Sequence, residues 1–130
     1  MEISTIVNTD ANPVKVSSVK RQDTILKVRN KNINGNDTSY VGVKVDVSNY
    51  LFVYAVISTD ASHNFKLYMY PKHADKTPAV SSYGYETIID YTGTTARTDW
   101  LETYAPTINL ELENNDSASH VYDVTVYGVR

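Results

Sequence analysis

Apolar residues recur at every second position along much of this chain, and this period constrains its fold more than any other feature. Four valines alternate with other residues from Val41 to Ser48. The same period occurs from Phe65 to Tyr70 and from Ile108 to Glu113. A period of two places the apolar side chains on one face of a β-strand, and no segment of ten or more residues has the spacing of an amphipathic helix. The sequence therefore predicts an all-β protein with almost no helix.

Length and composition narrow the architecture. The chain has 130 residues, close to the commonest domain size, so we expect residues 1–130 to form a single domain around one core. The 11 tyrosines and the many valines and threonines suit a pleated, half-buried surface. Turn-forming residues separate the apolar runs at the spacing seen in sandwiches and jelly rolls. We therefore predict an antiparallel, jelly-roll-like β-sandwich of about eight or nine short strands.

A hairpin is predicted in the middle of the chain. Tyr50–Ile57 is apolar at every position, which is typical of a central strand covered on both faces or of a strand that lies across a subunit contact. Asp60–Asn64 then supplies turn-forming residues. We expect Tyr50–Ser58 to pair with Phe65–Tyr70 across this turn.

Further strands are predicted on both sides of the hairpin. Thr24–Arg29 precedes a turn at Asn32–Asp37, whose Asn-Gly pair favours positive backbone angles. Tyr85–Tyr91 and Trp100–Tyr104 are expected to flank a loop at Thr92–Arg97. The last strand covers Val121–Val129, with its core side chains at Tyr122, Val124 and Val126. The apolar pattern is weaker elsewhere. There we predict marginal strands at Ile3–Val7 and Val14–Val19, a long exposed loop at Lys72–Gly84 and an extended N-terminal arm over residues 1–21.

Charge and cysteine content disfavour several classes of function. The net charge is −3, and the longest basic run is the Lys20-Arg21 pair, so the chain lacks the basic patch of a nucleic-acid-binding protein. Cysteine is absent, which excludes disulfides, thiolate metal sites and cysteine nucleophiles. No window approaches the roughly 18 apolar residues of a membrane span, and Met1–Asn12 lacks the pattern of a signal peptide. We expect a soluble protein with no nucleic-acid or membrane partner.

Three histidines are the main candidates for chemistry. His63, His73 and His120 fall in predicted loops or at strand ends, and no two have the spacing of a simple local metal site. We interpret them as surface residues. Ser62 and Ser119 each precede a histidine, but adjacent side chains usually point apart, which disfavours a hydrolytic triad.

Two clusters of oxygen-bearing side chains, Asn34–Asp37 and Glu111–Asp116, contain the groups that calcium prefers. Neither cluster has the spacing of an EF-hand, and asparagine and aspartate are ordinary turn residues. We therefore predict no metal, no cofactor and no catalytic residues, and we expect the chain not to be an enzyme.

Aromatic residues supply the candidate binding surface. Exposed tyrosine and tryptophan provide flat contact areas for protein partners, and such rings can also stack on sugars. A third interpretation is that tyrosines fill the rim of a small sandwich, with each hydroxyl at the water boundary. The candidate platform consists of Tyr68, Tyr70, Tyr83, Tyr85, Tyr91, Trp100 and Tyr104.

In style, the chain resembles the small jelly-roll or sandwich proteins that decorate bacteriophage heads or complete tails. The resemblance depends on a cysteine-free, signal-less chain rich in tyrosine and threonine, whose last strand, Val121–Arg130, runs to the end. It implies a virion accessory protein that is held by many weak contacts to a protein shell or to its own copies, as a homo-oligomer. In that case Asn8–Arg21 would be an arm that orders on assembly.

Two other functions are also compatible with the sequence. The first is a carbohydrate-binding or receptor-binding module that uses Trp100, Tyr83 and Tyr85 as its stacking platform. The second is a small hydrolase that combines a histidine with a carboxylate or a serine.

Overall fold

The computed structural model describes residues 21–71, 87–103 and 105–130, and over these ranges the protein is all-β and antiparallel, as predicted. Within them it has no helix, and hence none that could cross a membrane. Seven strands are present: β1 (Gln22–Ile33), β2 (Thr38–Asp46), β3 (Phe52–Pro71), β4 (Thr87–Arg97), β5 (Leu101–Glu102), β6 (Thr107–Asn114) and β7 (His120–Val129).

The 20-residue strand β3 organises the sheet. Along one edge, its residues 52–59 pair with β7 and its residues 65–71 pair with β6. Along the other edge it pairs with β4, and β5 continues that edge at residues 52–53. β1 then adds to β7, and β2 adds to β6. All seven strands belong to one antiparallel sheet that folds over at β3 into two layers, here called the first sheet (β1-β7-β3-β4) and the second sheet (β2-β6-β3-β4). This layered arrangement confirms the predicted jelly-roll-like sandwich.

The predicted central hairpin is wrong, because β3 runs through it without a turn. The register of β3 against β4 is interrupted between Ser58 and His63, where the strand passes from the first sheet to the second. Asp60–Ser62 are exposed at this bend. Short and polar side chains therefore mark a change of sheet here and not a reversal of the chain. The loop predicted at Thr92–Arg97 is wrong for a related reason, since these residues belong to β4 and pair with the same part of β3.

The valine pattern of β2 is interrupted by an irregularity in the strand. Val41 and Val47 are buried, whereas Val43 is 56% exposed. The register against β6 shifts twice between residues 40 and 45, and Lys44 has a φ of 51°. An extra residue in one strand moves the following side chains to the other face. The prediction that all four valines share one face is therefore wrong.

A single apolar core lies between the two sheets. The first sheet supplies Val53, Ala55 and Ile57 from β3, and each is fully buried. The predicted inward positions of β6 and β7 are confirmed, because their apolar side chains join the same cluster. These residues are Ile108, Leu110, Leu112, Tyr122, Val124 and Val126.

Two turns meet at one end of the sandwich. The predicted turn after β1 is confirmed, with the amide of Asp37 donating to the carbonyl of Asn34 at 3.2 Å. Its positive φ, 57°, falls on Asn36. Gly35 is needed instead for close approach, since a Cβ there would lie 2.0 Å from the carbonyl oxygen of Ser117 in the β6–β7 turn.

Asn114 holds these turns together from inside. Its side chain is fully buried, and its amide nitrogen donates to the carbonyls of Ile33 at 3.0 Å and Ala118 at 2.9 Å. Its amide oxygen accepts from the backbone amide of Asp116 at 2.9 Å. One side chain thus satisfies backbone groups from the end of β1 and from the β6–β7 turn.

Several predicted segments fall largely outside the described residues: the strands Ile3–Val7 and Val14–Val19, the loop Lys72–Gly84 and the arm over residues 1–21. Of the arm, only Arg21 is described, and its backbone pairs with that of Arg130 at N···O distances of 3.1 and 2.9 Å.

We expect Asn114→Leu to destabilise the fold. The replacement has a similar size but leaves backbone groups of both turns without partners, at about 1–3 kcal/mol for each buried group. Chemical denaturation monitored by circular dichroism measures the change. Asn115→Leu is the control, because the Asn115 side chain is exposed and bonds only to the Asn64 side chain among the described residues. Equal losses for the two variants would contradict the assigned role of Asn114.

Candidate functional site

The four described members of the predicted aromatic platform, Tyr68, Tyr70, Tyr91 and Trp100, do not lie together on one surface. Tyr83, Tyr85 and Tyr104 lie outside the described residues. Tyr91 is 40% exposed and packs edge-on against the core residue Phe65, with ring centroids 5.9 Å apart. The remaining members divide between the two sheets.

Two of the predicted tyrosines belong to a polar network on the second sheet. Tyr70 is fully buried, and its hydroxyl donates to the carboxylate of Glu111. Tyr68 donates to Glu113 at 3.4 Å. Burial raises the pKa of both phenols, and the neighbouring glutamates raise it further. The inclusion of Tyr70 in an exposed platform is thus wrong, because a fully buried ring offers no surface to a partner.

The first sheet carries a different cluster on its outer side, here called the aromatic face and defined as Phe52, Tyr54, Trp100 and Tyr127. Tyr54 and Tyr127 are opposite each other in register, and their rings stack with centroids 5.2 Å apart. Trp100, between β4 and β5, has its ring 5.3 Å from that of Phe52. It lies 6.2 Å from the ring of Tyr54, with the two planes only 9° apart.

Polar groups surround the aromatic face. The guanidinium of Arg97 lies over the Tyr54 ring, 5.7 Å from its centroid, and the Tyr54 hydroxyl donates to Gln22 at 2.7 Å. Glu102 pairs in register with Phe52. Arg97, Gln22 and Glu102 are all exposed, and Tyr54 at the centre is half-buried. The arrangement is an apolar centre with a polar rim, which is the anatomy of many protein interfaces.

Sequence reasoning found Trp100 and placed Phe52 and Tyr54 in a run that could lie across a subunit contact, but it did not identify these two as surface residues and it missed Tyr127. Phe52 and Tyr54 sit in a run that is apolar at every position, so no alternation separated the inner from the outer side chains. In the structure, Val53, Ala55 and Ile57 face the core, while Phe52 and Tyr54 face outward. The continuous apolar run could have indicated an outward-facing aromatic surface, because a strand in a single sandwich needs only one apolar face to form the core.

Two of the three histidines form a buried pair, so their interpretation as surface residues is wrong. His63 and His120 are 7% and 8% exposed, and their rings stack in parallel with centroids 3.6 Å apart. The bend in β3 brings His63 beside His120, the first residue of β7. His73 lies outside the described residues.

The hydrogen bonds of the pair assign the protonation of His120. Nδ1 of His120 contacts Asp60 at 2.8 Å and Nε2 contacts Asp116 at 2.7 Å. Carboxylates only accept, so both ring nitrogens must carry protons and His120 is a cation. His63 donates from Nδ1 to the carbonyl of Ala61 at 2.7 Å, and its Nε2 is hydrogen-bonded to the Tyr122 hydroxyl.

The pKa values of the charged members shift in the same sense. The hydrogen bond to Asp116 raises the pKa of His120 above its ordinary value, against the effect of burial, and the bond to Asp60 adds to the rise. The hydrogen bond to His120 lowers the pKa of Asp60 and of Asp116. Burial raises the pKa of Tyr122, and the two carboxylates raise it further.

The contacts of the two described histidines bear on the hydrolase alternative. The ring nitrogens of both histidines are engaged by groups other than Ser62 and Ser119, so neither histidine forms a hydrolytic triad with its neighbouring serine. Residues 21–71, 87–103 and 105–130 contain no group of three or more histidine, aspartate or glutamate side chains that could hold a metal. In the Glu111–Asp116 cluster, Asn114 and Asp116 bind protein groups.

We expect Tyr54→Leu to expose the only tryptophan of the chain, because Tyr54 packs beside Trp100. Fluorescence emission should shift to longer wavelength, and the free energy of unfolding should fall by about 1 kcal/mol from the lost ring contacts. Tyr40→Leu is the matched control on β2, where Tyr40 is 39% exposed and outside the aromatic face. An unchanged emission maximum in Tyr54→Leu would contradict the described packing.

Comparison with known proteins gives no family. No protein-family model matches the sequence, and no curated protein matches it. Among solved structures, the chain is similar to a subunit described in "Bacillus endospore appendages form a novel family of disulfide-linked pili". The match covers 98% of this chain and 96% of that chain, with a TM-score of 0.49 and 8% identity. Since this chain has no cysteine, it cannot form disulfide links, and a likeness at this level carries no argument about function.

Proposed function

We propose that this protein is a non-enzymatic structural subunit that associates with its own copies through the aromatic face. The observation that carries this proposal is a half-buried aromatic cluster on the outer side of a strand whose inner side already serves the core. Trp100 is 42% exposed, and Leu51, directly before β3, is 66% exposed. Large apolar side chains grouped on a surface mark interaction sites in soluble proteins.

The continuous apolar run in β3 supports self-association. Such a run indicates a strand that is covered on both faces within the chain, or a strand that lies across a subunit contact. Phe52 and Tyr54 remain partly exposed in the single chain, although their neighbours Val53 and Ala55 are fully buried. A second copy on the aromatic face would complete the burial that the sequence pattern calls for.

The charges on the rim fit a second copy of the same surface. Arg97 and Glu102 lie on the same side of the first sheet and are both exposed. In a twofold contact the same patch meets itself, so a face that carries both signs can place Arg97 of one copy beside Glu102 of the other. A face of one sign would repel its own copy.

The histidine pair supports a non-enzymatic role. Histidine acts as a general base only when a ring nitrogen is within reach of the proton that it abstracts. The four ring nitrogens of His63 and His120 are each held by a protein group. This favours a structural role for the two histidines over a catalytic one.

A virion decoration or accessory protein is the more specific form of this proposal, and its support is the sequence resemblance alone. Subunits of this kind bind a protein shell through many weak contacts. Co-sedimentation of the purified chain with candidate virus particles tests it, with Trp100→Lys as the variant that should lose binding. A chain that sediments with no particle and stays monomeric would rule out this form of the proposal.

Carbohydrate binding is the alternative, and ring geometry makes it the weaker one. A sugar stacks on an aromatic face that is open to solvent. The space around Tyr54 already holds the ring of Tyr127, the ring of Trp100 and the guanidinium of Arg97. A glycan array that showed binding, abolished by Trp100→Ala, would establish the alternative.

We expect the wild-type chain to self-associate and Trp100→Lys to weaken this association about 30-fold or more, which corresponds to the roughly 2 kcal/mol typical of a buried interface tryptophan. Sedimentation velocity over a range of protein concentrations measures the dissociation constant. Tyr40→Lys is the control, because Tyr40 has almost the same exposure but lies on β2. A wild-type chain that stays monomeric at millimolar concentration, or equal weakening by the two variants, would reject the aromatic face as the contact.

A further inference from the structure

The histidine pair joins two parts of the chain that are distant in sequence. Asp60 lies in the bend of β3, and Asp116 lies in the turn between β6 and β7. His120 is hydrogen-bonded to both carboxylates at once, through opposite sides of one ring. A single imidazole therefore joins the two carboxylates, beside the two hydrogen bonds by which Asn115 of the turn contacts Asn64 of β3 at 3.1 and 2.8 Å.

This link requires two protons. A neutral imidazole has one N–H group and one lone pair. Loss of one proton from His120 would place a nitrogen lone pair 2.7 or 2.8 Å from a carboxylate oxygen, where the two repel. At least one of the two hydrogen bonds must then break.

The groups around His120 leave room for one positive charge. The ring of His63, from β3, stacks on it at 3.6 Å, and the hydroxyl of Tyr122, from β7, is hydrogen-bonded to His63. A second imidazolium at the distance of His63 would repel the first. The remaining charged groups that face the ring are Asp60 and Asp116, and none of the described ion pairs joins either carboxylate to a lysine or arginine. His120 is thus their cationic partner.

We propose that His120 is a proton-dependent clamp that fastens the β6–β7 turn to the bend of β3 and opens when it loses a proton as the pH rises. The turn is the part that moves, because among the described residues the Asp116 carboxylate keeps only the amide of Ser117 within the same turn, at 2.9 Å, whereas Asp60 also accepts from the backbone amide of Val121 in β7 at 3.3 Å. The β6–β7 turn also contacts the turn after β1, because the amide of Asn36 donates to the carbonyl of Asp116 at 2.8 Å. Opening would therefore affect both turns at this end of the sandwich, while Asn114 and the Asn115–Asn64 contact continue to hold them.

The direction of each pKa shift sets the pH window. The pKa of His120 is raised, so its contribution to stability is complete below its ordinary value of 6.5 and is lost as the pH rises through the folded-state pKa. The pKa values of Asp60 and Asp116 are lowered, so their contribution is complete above 3.8 and is lost as the pH falls through their folded-state pKa values. The clamp is fully closed between these two limits.

Nuclear magnetic resonance of the histidine ring nitrogens in the intact chain tests the clamp. At pH 6 we expect both nitrogens of His120 to be protonated, and we expect its titration midpoint to lie above 6.5. Asp116→Asn and Asp60→Asn should each move the midpoint downward, because each removes one carboxylate. Asp123→Asn is the matched control on β7, since Asp123 accepts from the backbone amide of Asn30 at 2.8 Å and should leave the midpoint unchanged.

Amide hydrogen exchange tests the opening itself. Once the intrinsic rise of exchange with pH is subtracted, protection of residues 115–119 should fall as the pH passes the His120 midpoint. In Asp116→Asn this fall should occur at lower pH, together with the shifted midpoint. A His120 ring that is neutral at pH 6, a midpoint insensitive to Asp116→Asn, or constant protection across the midpoint would each overturn the proposal, whether or not the chain self-associates.

Discussion

The architecture depends on one strand that serves two sheets. β3 pairs with β7 along its first half and with β6 along its second half, while β4 follows its other edge. Because backbone groups in a dry interior must be paired, a strand with both edges bonded can change sheet only where the pairing is interrupted. That interruption lies between Ser58 and His63. The exposed Asp60–Ser62 segment and the histidine pair both follow from this position.

The two outer faces of the sandwich differ because the core needs only their inner sides. On the second sheet, Tyr68 and Tyr70 direct their hydroxyls to Glu113 and Glu111, and Tyr70 is fully buried, so these two rings have polar partners and offer little apolar surface. On the first sheet, Tyr54 stacks with Tyr127 and Trp100 and leaves apolar area partly exposed. A polar outer face is stable in water, whereas an aromatic one gains from a partner. This difference directs the proposed contact to the first sheet.

Burial of a charge at the end of the sandwich is tolerable because the charge is fully paired. His120 meets a carboxylate at each nitrogen, which offsets the cost of removing an imidazolium from water. Pairing of this kind works only while the ring keeps both protons. The same contacts that make the site stable therefore also make it sensitive to pH.

The sequence by itself determined the class of fold and much of the core. A period of two is a local property, so the inward positions Leu110, Leu112 and Val124 follow from the alternation of apolar and polar residues alone. The Asn-Gly turn after β1 is equally local, since its residues bond to one another. Of the aromatic face, only Trp100 could be identified from the sequence as a candidate surface residue.

Tertiary structure decided everything that depends on what a residue meets from a distant part of the chain. Asp60–Asn64 has the composition of a turn, yet pairing with β4 keeps β3 extended through it. The valine pattern of β2 does not reveal the irregularity near Lys44, which arises from pairing with β6. His63 and His120 are 57 residues apart in sequence, and only the bend of β3 stacks them. Local patterns fix which residues are apolar and extended, whereas long-range pairing fixes which of them meet, because no local signal encodes the partner strand.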